Sequence, residues 1–120
     1  MQAVHPVHED RMTLTQSHIR LHRLANQRLI GPAFATPTDV VCYMGAVQAQ
    51  ELPASLWALG QRVPGSTEAS IEQATTDRSI LRTWPMRGTV HFVPSEDARW
   101  ITGITLPLGF AHQYPLPVLS

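Results

Sequence analysis

Six histidines, one cysteine and two closely spaced glutamines are the side chains whose types and spacing invite a chemical reading. His18 and His22 stand four apart, which on a helix puts two imidazoles on one side with room for a shared ion. Two ligands do not make a site, and no carboxylate falls beside them at ligand spacing. A satisfied or exposed histidine pair is therefore expected, and no metal. Gln48 and Gln50 flank Ala49. In an extended segment side chains two apart point to one side, so the pair would present two amides to the same small molecule, such as a water. An amide takes up no proton near neutral pH; its carbonyl only accepts a hydrogen bond and orients what it holds. By itself so short a stretch reads as polar loop. Glu51 follows directly, but the same alternation sends it to the opposite side, so it is not assigned as a base. The sequence contains no phosphate-cradling glycine loop, nucleophile elbow or paired acid motif.

Charge narrows the partners. All nine basic residues are Arg, and nine Asp and Glu bring the formal net charge to zero, so any grip on a phosphate backbone must come from a local arginine patch. Arg82 and Arg87 bracket a proposed turn, where a guanidinium could reach phosphate oxygens; a solvated charge, or an ion pair to Asp77, Glu96 or Asp97, is the competing reading. The stripe of Arg20, Arg23 and Gln27 reads as the wet face of a helix. Cys42 lies among Val40, Val41, Tyr43 and Met44 and reads as a buried, reduced thiol, as in a cytosol. No apolar run approaches the roughly 20 residues of a membrane span, so a cytoplasmic protein is expected. His91 reads as structural, and Trp57, Trp84 and Trp100 as core.

The elements that would position these groups follow from punctuation and periodicity. Thr15 is an N-cap for a helix of about 14 residues with Leu21, Leu24, Ala25 and Leu29 on its buried face, stopped by Gly31-Pro32. Thr38 or Asp39 caps a second helix that buries Val40, Val41, Met44 and Val47 and runs out near Gln48. A third follows Pro53 with Leu56, Trp57 and Leu59 inward and Pro64-Gly65 ending it, and a fourth, started by Ser66 or Thr67, runs over 68–77 on Ile71 and Ala74. Ile80 to Trp84 and Thr89 to Val93 form a hairpin across Pro85-Met86-Arg87-Gly88, and Ser95-Glu96-Asp97 starts a last helix. Short helices followed by a hairpin is the element order of a winged helix, and of other small α+β folds as well.

Three segments carry a resemblance: Arg20-Leu21 with Arg23 through Leu29, then Val47-Gln48-Ala49-Gln50-Glu51, then Arg82 through Pro94. In this order and spacing, over residues 15–101, they resemble the first winged-helix unit of AlkZ-like, crosslink-unhooking DNA glycosylases. The resemblance implies a mainly α fold with a small β-hairpin, a winged-helix domain over 15–106, a flexible leader over 1–14 and an irregular tail over 107–120. Family members are much longer, with tandem winged-helix units embracing DNA. They hydrolyse the N-glycosidic bond of N7-alkylated purines, some of them in interstrand crosslinks. The tail from Phe110 to Ser120 departs from the expected continuation, so a truncated or fragmentary form is expected, whose activity in isolation is open.

The same resemblance assigns Gln48 and Gln50 as the catalytic pair; some relatives carry an aspartate at the second position. It implies double-stranded DNA with alkylated purines as partner and no cofactor; Arg82 and Arg87, from their place at the turn, are the expected DNA contacts, and a monomer is expected. An N7-alkylguanine is cationic and leaves as a neutral base without the proton donor that other glycosidic reactions need. What remains is to place water and stabilise an oxocarbenium-like sugar. Two alternatives stand beside this reading: a non-catalytic DNA-binding winged helix, and a remnant without independent activity.

Overall fold

A computed structural model describes residues 13–105 except Arg87. The leader up to residue 12, the tail from 106 onward and Arg87 itself lie outside the described residues. Within them the chain runs α1 (Gln16–Asn26), α2 (Pro37–Met44), β1 (Val47–Gln48), α3 (Leu52–Gly60), α4 (Glu68–Thr76), β2 (Ile80–Met86), β3 (Thr89–Pro94) and α5 (Ala98–Thr105). The expected mainly helical chain with a hairpin is present. The hairpin gains a third strand, giving an antiparallel sheet in the order β1-β3-β2.

Capping chemistry sets several helix ends. The Thr15 hydroxyl accepts from the His18 amide at 3.2 Å, and His18 Nδ1 accepts in return from the Thr15 amide at 3.4 Å, closing a capping box in which imidazole replaces the usual Glu or Gln. Thr67 and Ser70 close a second box on α4. α2 starts earlier than expected: Thr36, not Thr38 or Asp39, is its N-cap, because Pro37 fits the first turn and leaves the Thr36 hydroxyl to take the Asp39 amide. It also ends earlier, since Gly45 turns at φ 76° and frees Val47-Gln48 to extend as a strand.

α1 and α4 stop on Arg28 (φ 54°) and Arg78 (φ 62°) in the left-handed region. There the paired amide bonds Leu29 to Leu24 and Arg28 to Ala25, and Ser79 to Ala74 and Arg78 to Thr75, satisfy the last carbonyls. α1 therefore stops before Gly31-Pro32. α3 likewise ends at Gly60 rather than Pro64-Gly65.

The core is built by α2, α3, α4 and the sheet: Val40, Val41, Ala49, Leu56, Leu59, Val63, Ile71, Ala74, Ile80, Val90 and Phe92 are buried together. Phe92, Leu59 and Ile80 are fully covered, each worth about 1.5–3 kcal/mol of transfer free energy. α3 and α4 approach closely at Gly60, where a side-chain carbon would come within 3.2 Å of the Ile71 methyl. Val93, on the opposite side of β3 from Phe92, is buried as well, and α5 packs against β2.

Three expectations about burial are corrected. Leu21, Leu24, Ala25 and Leu29 are exposed and α1 contains no buried residue, because no other described element lies across its apolar face. Trp57, Trp84 and Trp100 are 70%, 44% and 55% exposed and are not core. Trp57 is displaced by helix phase: Leu56, Leu59 and Val63 take the inward positions, leaving the next residue outside. Cys42 is exposed rather than buried, since Val40 and Val41 take the inward positions of α2. Its thiol pKa is nonetheless raised, by desolvation first and then by Glu96, Asp39 and Asp97.

Candidate active site

β1 is only two residues long, yet it decides the geometry of the glutamine pair. Val47 pairs with Phe92 and Gln48 with His91, so Val47 follows Phe92 to the core side and Gln48 shares the outer face with His91. Ala49 then turns inward and is fully buried, its amide donating to the Val90 carbonyl at 2.7 Å. Gln48 and Gln50 on either side of it are exposed, and both line one cleft of about 270 Å³ with Glu51, Ala54, Ser55 and Ala58. The alternation expected from the sequence is realised, and small α3 side chains supply one wall.

The two amides are not equivalent. Gln50 Oε1 accepts from the Val90 amide at 3.2 Å, standing in for the backbone carbonyl that β1 would have offered had its ladder continued. Because only the oxygen can accept from an N–H, this bond fixes which way round the Gln50 amide sits. Its Nε2 donors are left for the cleft. Gln48 makes no side-chain hydrogen bond among the described residues, so its carbonyl is available to a water or a sugar.

Arg82 is brought to the same place, by a route the sequence did not show. It pairs with Phe92 across the hairpin. From there its guanidinium reaches back to the glutamine segment: Nε and Nη2 donate to the Ala49 carbonyl at 3.1 and 2.8 Å, and Nη2 to the Gln50 carbonyl at 3.3 Å. The fork thus clamps the backbone that carries the pair instead of pairing with Asp77, Glu96 or Asp97. Nη1 has no partner among the described residues and remains available to an anion. Arg87, the other arginine of the expected pair, lies outside the described residues.

Glu51 corrects the expectation made for it. It lines the cleft beside Gln48 and Gln50, because the chain bends at Gln50 and Glu51 before α3 begins at Leu52. Its side chain makes no capping bond. His91 is a further neighbour the sequence could not place; it is half-buried, sits between Gln48 and Thr83 on the outer sheet face, and its Nδ1 lies 3.1 Å from the Thr89 carbonyl. The nearness of His91 to Gln48 was hidden because a two-residue strand leaves no periodic trace.

His18 and His22 lie on α1 away from this cleft, lining a shallow depression with Leu21, Ala25 and Ile30. Among the described residues no three His, Cys, Asp or Glu side chains gather where they could hold a metal ion, and no helix is long and apolar enough to cross a membrane.

A family model described as "DNA glycosylase AlkZ-like" matches residues 41–112, which is more than half of the chain. The match takes in the glutamine segment, Arg82 and the hairpin, and begins after α1. No curated protein and no solved structure matches the chain.

Proposed function

The chain belongs to the AlkZ-like DNA glycosylase family, and from that premise we propose that it forms a winged-helix unit in which Gln48 and Gln50 direct water at the anomeric carbon of an N7-alkylated purine deoxynucleotide in double-stranded DNA. The observation that carries this reading is the cleft in which both exposed amides meet, with Ala49 buried between them and Arg82 gripping the backbone beneath.

The geometry divides the labour. Gln48, unengaged, orients the attacking water through its carbonyl. Gln50, anchored to Val90, offers Nε2 to the sugar or the water from a fixed direction. Neither amide needs to move a proton to the leaving group, because a cationic alkylpurine departs neutral. Catalysis then rests on placing water and on local electrostatics, which suits a rigid pair on a sheet edge. The hairpin β2–β3 acts as the wing, with the Nη1 side of Arg82, and Arg87 at the turn, as phosphate contacts. The same reading places the protein in the cytoplasm as a monomer. Crosslinked purines are within its scope, since they carry the same N7 alkylation and positive charge.

The test is to incubate the chain with duplex containing a single N7-methylguanine and to score alkali-labile abasic sites. Abasic sites are expected to accumulate, and Gln48→Ala and Gln50→Ala are each expected to slow their formation by on the order of 10²-fold while the far-UV spectrum is kept. Release at the wild-type rate by both variants would end the catalytic assignment. Salt-sensitive duplex binding with no abasic sites would point instead to a DNA-binding module.

A further inference from the structure

We propose that Glu51 is the proton acceptor of this site, an inference that rests on the reading of Gln48 and Gln50 as the hydrolytic pair. Two glutamines can aim a water but cannot take its proton, so a hydrolysis carried by them alone would release that proton directly to bulk solvent. Glu51 lines the same cleft. It is exposed, makes no capping bond although it occupies the N-cap position of α3, and its carboxylate has no partner among the described residues. An acceptor side chain at an N-cap can turn back to the helix amides; the Glu51 carboxylate does not, and so is not committed to the helix end.

The step balances. The bond between the anomeric carbon and the purine nitrogen breaks with its electron pair going to the cationic base, which leaves neutral. The sugar becomes an oxocarbenium ion, facing the Glu51 carboxylate. The water held by Gln48 forms the new carbon–oxygen bond, and the proton it sheds passes to Glu51 and then to solvent. One carboxylate thus both offsets the sugar's positive charge and collects the proton.

Single-turnover rates on the N7-methylguanine duplex, measured against pH, test this with Glu51→Gln, Glu51→Asp, and Glu72→Gln on α4 as a charge-matched control. Glu51→Gln is expected to release base on the order of 10²-fold more slowly and to lack the fall in rate on acidification expected of the wild type. Its duplex affinity, by fluorescence anisotropy, should match that of Glu72→Gln within about twofold. Glu51→Asp, shorter but still a carboxylate, is expected to recover part of the rate. Equal loss in Glu51→Gln and Glu51→Asp, or a wild-type rate and pH profile in Glu51→Gln, would overturn Glu51 as acceptor. If Gln48→Ala is slow at the same time, the glutamine reading survives. A wild-type chain that leaves the lesion untouched overturns both.

Discussion

α1 and β3 are both written as amphipathic segments, and the fold treats them in opposite ways. β3 alternates along its first four residues, with Val90 and Phe92 buried and Thr89 and His91 only half covered. α1 has a capping box, helical spacing and four apolar residues on one side, and buries none of them. Among the described residues its attachment is polar and confined to its C-terminal end: Arg62 Nε donates to the Gln27 carbonyl at 2.7 Å, Tyr43 donates to Asn26, and the Arg28 guanidinium lies over the rings of Tyr43 and Phe34 at 4.7 and 5.5 Å. An apolar stripe thus records a surface able to be buried. Whether it is buried depends on another element presenting a matching surface.

The largest test of this contrast lies in the core. Phe92→Ala is expected to cost about 3–5 kcal/mol, as a fully buried aromatic deleted from a close-packed site, read as a lower urea midpoint at unchanged slope. A loss under about 1 kcal/mol would mean that β3 is no better packed than α1.

Next comes the link between the two regions. Arg62 is nearly buried at 9% exposure, bonds the Ala58 carbonyl at 2.6 Å besides Gln27, and has its pKa lowered by burial. Arg62→Met keeps the apolar stem and removes both charge-assisted bonds, for an expected cost of about 2 kcal/mol. Amide exchange across α1 should quicken while that of β3 follows only global stability. Unchanged exchange in α1 would show that the helix is held by something other than this arginine.

The smallest effect is expected within α1 itself. Leu24, 40% exposed, should tolerate replacement by Ala within about 0.5 kcal/mol in chemical denaturation. A loss of about 2 kcal/mol or more would show that its apolar face is covered in solution.

Some of the candidate site was legible from residues alone. Gln48 and Gln50 were expected to share a side, and they line one cleft, because alternation along an extended segment is a local property. Glu51 borders the same cleft although strict alternation predicts the opposite side, since the chain bends at Gln50 and Glu51 and alternation holds only along a straight extended run. Arg82 was singled out as a hairpin cation, but its partner carbonyls lie more than thirty residues away in sequence, and no spacing rule reaches that far. The tryptophans were assigned inward on hydrophobicity, where helix and strand phase placed them outward.

The sequence by itself determined what short-range energies decide: the capping box of Thr15, the span of α4, the two strands of the hairpin and the start of α5, each fixed by side-chain to backbone bonds or by residue preferences within a few positions. Only the tertiary structure decided that Val47-Gln48 joins the sheet, that the Arg82 fork closes on Ala49 and Gln50, that Glu51 borders the same cleft, and that α1 goes uncovered among the described residues. Each of these depends on which surfaces meet across long loops, and the free energy of such meetings is a property of pairs of segments that neither segment carries alone.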